Sequence, residues 1–293
     1  MSGDRLSYAA FGTCALIWGS TFLVISFGND GLPPLWALAL RLLIASAILL
    51  GLMKLTGAAW PRGPQMQAVA WYGVLEYGVS FPLLYYSEKL IPSGVAALMF
   101  ATCPIAAMFL GRLFGFERVT WAKAGAGMLG IIGLLIIFAK QASGGNLVGT
   151  LCALGAALSA VLASTLLKRG GTQSAFVGNG IGSLMGVPIA LVISRIAGEP
   201  WSLPNTLGEI WPVLYLAVLG SVGAFTLFVW LLGRWEASTA SYLGVICPVI
   251  ALILGSIFKH EPISGATLAG GAVVLASVAL ALWLQSREVP AAA

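Results

Sequence analysis

Apolar residues run through this chain in blocks of about 20, the length an α-helix needs to cross the hydrocarbon core of a bilayer. Ten such blocks stand at roughly 8–27, 33–54, 68–86, 93–113, 121–139, 147–167, 173–195, 209–232, 238–257 and 264–284. Turn-forming clusters separate them: Asn29-Asp30-Gly31 with Pro33-Pro34, Trp60 to Pro64, Ser143 to Asn146, and Glu199-Pro200 with Pro204-Asn205. Spans three and seven carry more polar residues or glycine than the others. The pattern predicts an all-α integral membrane protein with ten transmembrane helices.

The pattern also repeats. Residues 93–140 align without a gap on 237–284, with 10 identities in 48 positions. Cys103-Pro104 falls on Cys247-Pro248, Leu110-Gly111 on Leu254-Gly255, Phe114 on Phe258 and Glu117 on Glu261. Duplication at a fixed offset divides the chain into two repeats, 1–145 and 146–293. Each holds five spans, an odd number, so the second repeat enters the membrane inverted. The loop basics Arg112, Arg118 and Lys123 align with Ser256, Pro262 and Thr267. An inverted loop should lose its charges in this way. Cys14-Ala15-Leu16 matches Cys152-Ala153-Leu154 at a shorter offset, which implies a length change within the first two spans or their loops.

Composition agrees. Hydrophobic residues make up 59% of the chain and charged residues 9%, with a mean hydropathy of +0.97. A soluble domain carries far more charge. The net charge of +5 comes from single basic residues between spans, where they set orientation, and it does not indicate nucleic-acid binding. With the N-terminus in the cytoplasm, ten Lys and Arg fall inside and four outside, and Arg41 lies within span two. Both termini are therefore expected to be cytoplasmic. Met1 to Leu6 is too short and lightly charged for a signal peptide, so the first span is expected to be retained. Cys14, Cys103, Cys152 and Cys247 all fall in apolar runs, as packing residues and not disulfides.

Several residues could carry function. Pro104 and Pro248 lie mid-span at matched positions, where proline bends or weakens a helix. They are candidate hinges for alternating access. Arg41 and Glu76 are the ionisable residues deepest within spans, where a charge is costly. They either neutralise one another or face a cavity and bind a charged group or a proton. Gly220 replaces Glu76 in the second repeat. On a helical wheel Tyr72, Glu76, Tyr77 and Ser80 share one face of span three. Gly178, Gly182 and Gly186 are spaced for close helix contact. His260 is expected in a loop. The chain has no Walker A pattern, dinucleotide fingerprint or metal-ligand spacing, so neither a cofactor nor a metal is expected, and ATP-driven transport is not.

Trp18-Gly19-Ser20, Arg41, Ala96-Ala97 before Cys103-Pro104, and Glu117 resemble the EamA repeat of the drug/metabolite transporter superfamily. Ala240 through Pro248 to Glu261 resembles it again. The whole chain is most similar to YddG-type exporters of aromatic amino acids. The resemblance implies two inverted five-helix repeats around a central cavity, with spans five and ten peripheral. It implies secondary export of amino acids or similar small metabolites across a bacterial inner membrane. Glu117 and Glu261 would then be fold signatures at loop turns.

Together these readings predict a monomeric transporter, not an enzyme, with Trp18, Glu76, Tyr77, Ser80, Met99, Trp230 and Tyr242 lining the cavity. The partners would be a small-molecule substrate and the lipid bilayer. The alternatives are a proton-coupled exporter of cationic drugs with Glu76 as counter-charge, a carrier of nucleotide sugars or sugar phosphates, a passive channel, and a membrane-embedded enzyme. Phosphate needs several cations, and Arg41 stands alone within the spans. Arg41 and Glu76 are a poor nucleophile–base set.

Overall fold

The computed structural model describes residues 2–114, 121–170, 174–232 and 243–288, and among them every regular element is a helix. Helix α1 (Ser2–Gly31) is followed after a two-residue turn by α2 (Pro34–Leu55). The third run is continuous: α3 (Pro64–Tyr72), a wide π-helical stretch π1 (Gly73–Ser80) and α4 (Phe81–Ser87). The fourth is broken into α5 (Ser93–Phe100) and α6 (Cys103–Leu113). Then come α7 (Trp121–Gly144), α8 (Leu147–Arg169) and α9 (Ala175–Ile196). The next run repeats the third: α10 (Leu207–Leu214), π2 (Tyr215–Gly223) and α11 (Ala224–Leu232). Last are α12 (Leu243–Phe258) and α13 (Gly265–Glu288).

The breakers act as their chemistry requires. Proline opens α2 and α3, where a missing N–H costs nothing. Asn146 caps α8 by accepting from the Gly149 N–H at 2.9 Å. Thr206 accepts from the Glu209 N–H, and the Glu209 carboxylate returns to the Asn205 N–H, a reciprocal cap at the start of α10. Glu199, beyond α9, accepts from the Leu35 and Trp36 N–H groups and so places a carboxylate on the N-terminus of α2. Trp36 stacks on Trp201 beside it, centroids 5.3 Å apart.

Five described segments are long and apolar enough to cross a membrane: 5–31, 34–55, 147–169, 176–196 and 207–228. Large apolar side chains such as Leu135, Ile132 and Leu268 point outward, as they should where lipid is the solvent. Helix α2 packs along α9, α1 against α12, and α5 against both α12 and α8. Helices α7 and α13 pack chiefly on each other. The centre is filled by Ile25, Leu38, Leu42, Leu98 and Met99, all fully buried.

Glycine sets how closely helices approach. A Cβ on Gly133 would lie 2.8 Å from the Gly270 carbonyl oxygen, and one on Gly270 would lie 2.7 Å from that of Gly133. One on Gly182 would lie 2.9 Å from the Tyr77 ring, and one on Gly73 would lie 3.0 Å from the Gly182 Cα. These are the small-residue contacts that association in lipid favours. Replacing Gly133 by valine should force α7 and α13 apart and cost about 1–3 kcal/mol by overpacking. The measurement is the melting temperature of the purified protein in detergent, which should fall. An unchanged value would mean that this contact is not tight in solution.

Candidate functional site

Among the described residues the helices enclose a cavity of about 550 Å³, within the range of small-molecule sites. One stripe comes from α1, where Trp18, Thr21, Phe22 and Ile25 follow helical spacing. A second comes from α8, with Ala160, Val161, Ser164, Thr165 and Lys168. Phe81, Phe100, Phe225 and Phe228 complete an aromatic wall. Trp18 meets Phe225 edge-on at 5.3 Å and Phe228 at 5.1 Å, while Phe22 meets Phe100 edge-on at 5.6 Å.

Helix irregularity sets which residues face inward. In a regular α-helix, residues five apart point about 140° apart. In π1 the turns are wide, and the Phe81 N–H bonds the Glu76 carbonyl. Tyr72, Glu76, Phe81 and Leu84 consequently all line the cavity. The regular wheel puts Tyr77 and Ser80 beside Glu76, and the structure corrects this. Tyr77 turns to Gly182 and Gly186, and its hydroxyl shares the Asn179 carboxamide oxygen with that of Tyr72, each at 2.8 Å. Ser80 is fully buried away from the lining.

The other candidates also divide. Trp18 and Glu76 line the cavity, as do Arg41 and Pro248. Met99 is wholly buried in the core and Trp230 is not among the lining residues. Tyr242 lies outside the described residues.

Arg41 does not pair with Glu76. Its Nε donates to Ser221 Oγ at 3.2 Å, its Nη1 donates to Tyr85 Oη at 3.3 Å, and its guanidinium carbon stands 4.6 Å from the Phe81 ring centroid. No carboxylate of the described residues lies within ion-pair distance. Arg41 is 3% exposed and Glu76 8%. Glu76 Oε2 is buried without a hydrogen-bond partner.

The matched prolines differ. Pro104 is the second residue of α6, and the chain leaves helical form just before it, at Ala101-Thr102. Pro248 sits inside the unbroken α12. The cysteines before them behave alike: Cys103 Sγ donates to the Ala157 carbonyl of α8 and Cys247 Sγ to the Ala15 carbonyl of α1.

Comparison with known proteins adds the family. The model of the EamA-like transporter family matches twice, over residues 6–139 and 147–283. The chain belongs to the EamA-like transporter family. It is a membrane transporter of the drug/metabolite transporter superfamily. It is 30% identical to the protein named "Uncharacterized inner membrane transporter YedA" of Escherichia coli K12, covering 91% of this chain and 88% of that one. It is 28% identical to PecM of Dickeya dadantii, over 90% and 87%. It is 24% identical to the "Probable amino-acid metabolite efflux pump" of Salmonella typhimurium, over 90% of each chain. A solved crystal structure 22% identical in sequence superposes with a TM-score of 0.68, covering 97% of this chain and 98% of that one.

The family-like residues have structural work. A Cβ on Gly19 would lie 2.7 Å from Ile250 and 3.2 Å from the Cys247 carbonyl, so this glycine lets α1 and α12 cross closely. Ser20 Oγ and Tyr215 Oη share a hydrogen bond at 2.7 Å. Glu261 accepts from Ser93 Oγ at 2.8 Å and ties the end of α12 to the start of α5. Its counterpart Glu117 lies outside the described residues.

The two ends of the bundle differ. The cavity lining extends to Lys168 in the last turn of α8. At the opposite end, Lys259 Nζ donates to the Ser26 carbonyl and hydroxyl, each at 3.0 Å, and pairs with Asp30 at 2.7 Å. Asn29 donates to the Tyr85 carbonyl. Glu88, in the α4–α5 turn, is 5% exposed, and neither carboxylate oxygen has a hydrogen-bond partner. Burial, helped by the neighbouring Glu261 carboxylate, pushes the Glu88 carboxyl well above its ordinary range, and Lys259 only partly opposes this.

The tied end therefore holds the Glu88 proton more tightly than an opened or unfolded chain does. The associated stability is complete below the ordinary carboxylate value and is lost as pH rises through the raised one. Hydrogen exchange at residues 88–93 should accelerate as pH rises, beyond the intrinsic chemical dependence. The Glu88→Gln variant should lack that acceleration. The same excess acceleration in both proteins would assign it to another group.

Proposed function

We propose that this chain is a secondary transporter that exports aromatic and other apolar amino acids, and similar small metabolites, by alternating access. One observation carries the reading. A cavity of about 550 Å³ walled by aromatic rings holds an arginine and a glutamate, reaches one end of the bundle and is tied off at the other. Aromatic walls bury an apolar side chain, and the two charges suit a polar head group. The name of the Salmonella relative, an amino-acid metabolite efflux pump, agrees in substrate class.

The architecture that suits this activity is ten spans in two inverted repeats, 1–145 and 146–293. Matched features support it: π1 with π2, the thiol of Cys103 on α8 with that of Cys247 on α1, and α7 with α13 as a peripheral pair. The distribution of Lys and Arg favours cytoplasmic termini. The Lys168 end then faces the cytoplasm, and the Lys259 end is the outer gate of a bacterial inner membrane. Rocking would use the break at Ala101-Thr102. Pro248 would bend α12 only in the opposite state.

The decisive measurement is uptake into liposomes of labelled phenylalanine, alanine and a dicationic dye, with and without a pH gradient. Saturable phenylalanine flux is the expected result. Dye flux that needs both the gradient and Glu76 would make this an exporter of cationic drugs instead. Pro104→Ala should slow phenylalanine exchange by about tenfold if the break is the hinge, since restoring the α5–α6 hydrogen bonding stiffens it. Unaltered exchange in Pro104→Ala and Pro248→Ala combined removes the prolines from the mechanism.

A further inference from the structure

The charges in the central cavity are incomplete. Arg41 has only neutral acceptors, Ser221 Oγ and Tyr85 Oη. Its Nη2, with Gly220 alongside, makes no hydrogen bond among the described residues. A guanidinium has five N–H donors, and its planar fork matches a carboxylate. Glu76, in π1, faces the same cavity with a buried oxygen that nothing satisfies. An unpaired buried polar atom is costly, and so is a buried charged group with no oppositely charged group in contact. The two groups form no ion pair with each other, because they do not come within ion-pair distance. Gly220 matters here. It occupies the position that matches Glu76 in the other repeat, and its missing side chain leaves space beside the Arg41 nitrogen.

We propose that Arg41 and Glu76 are the two jaws of a zwitterion clamp. The guanidinium takes the carboxylate, and Glu76 takes the ammonium group, of an α-amino acid whose apolar side chain lies among the rings of the same cavity. This deepens the reading of the chain as an amino-acid exporter and rests on it. The zwitterion supplies both missing partners at once and adds no net charge to an apolar interior. A ligand with one charge leaves the opposite jaw unsatisfied. Specificity thus comes from the head group, and the aromatic wall sets only the size and apolarity of the side chain. Lys168 at the cavity's end gives the carboxylate a first electrostatic attraction without forming part of the clamp.

The test uses the intact protein in liposomes and competition against labelled phenylalanine by L-phenylalanine, 3-phenylpropionate and phenethylamine. The latter two share the ring but lack the ammonium or the carboxylate. In the wild type each should compete about 10- to 100-fold more weakly than phenylalanine, the cost of one unsatisfied charged hydrogen-bonding group. Glu76→Gln should weaken phenylalanine while leaving 3-phenylpropionate unchanged, and Arg41→Gln should do the same with respect to phenethylamine. The wild-type series needs no substitution, so a variant that fails to fold leaves the test intact. Phenylalanine flux with equal competition by all three compounds overturns the clamp and leaves the exporter reading standing. Phenethylamine competing more strongly than phenylalanine also overturns it, in favour of a cation site. No saturable flux of phenylalanine or another apolar amino acid overturns both.

Discussion

A guanidinium buried among apolar helices, with no carboxylate of the described residues beside it, is the constraint around which the centre of this molecule is arranged. A charge in that position costs about 2.5–3.5 kcal/mol on insertion scales. The surroundings offset the cost with weak partners. The Phe81 and Tyr85 rings face the cation, at 4.6 and 5.9 Å. Ser221 reaches it from π2 and Tyr85 from α4. These contacts solvate the charge without cancelling it, and the cavity therefore keeps an electrostatic preference that a fully paired arginine would have lost.

The cavity itself comes from irregular backbone in a solvent that tolerates little of it. Inside a bilayer each loosened carbonyl needs a partner within the protein. Hydroxyl groups serve at each irregularity. Thr102 donates to the Met99 carbonyl at the α5–α6 break, Ser221 to the Leu216 carbonyl in π2, and Ser159 of α8 to the Leu75 carbonyl in π1. These stretches are where the backbone departs from regular i→i+4 bonding. They line the cavity, where a transporter must rearrange, while the most regular close contact, α7 with α13, lies away from it.

The contacts at the Lys259 end are individually small. Asp30 is 61% exposed, and an ion pair with one partner that open contributes about 0–1 kcal/mol. Together with the Ser26, Asn29 and Ser93 hydrogen bonds it ties the ends of α1, α4, α5 and α12 to one another. Glu88 lies among them, an acid buried where its charge is unwelcome.

The sequence by itself determined the apolar runs, their caps and breakers, the duplication and the family. Those properties depend on residue type and spacing over short windows. Observed helices begin and end within a few residues of most expected spans, and Trp18, Glu76 and Arg41 were visible as polar or amphipathic groups at unusual depth. The 18-21-22-25 stripe on α1 was also legible and would have added Thr21 and Phe22. The tertiary structure decided what a regular wheel could not. The widened turns of π1 exchanged Tyr77 and Ser80 for Phe81 and Leu84, because i→i+5 hydrogen bonding changes the angle between residues. It also decided that Arg41 meets Ser221 and Tyr85 and not Glu76, and that Pro104 follows a helix break while Pro248 does not. Each of these depends on which distant helix lies opposite, and no local pattern carries that.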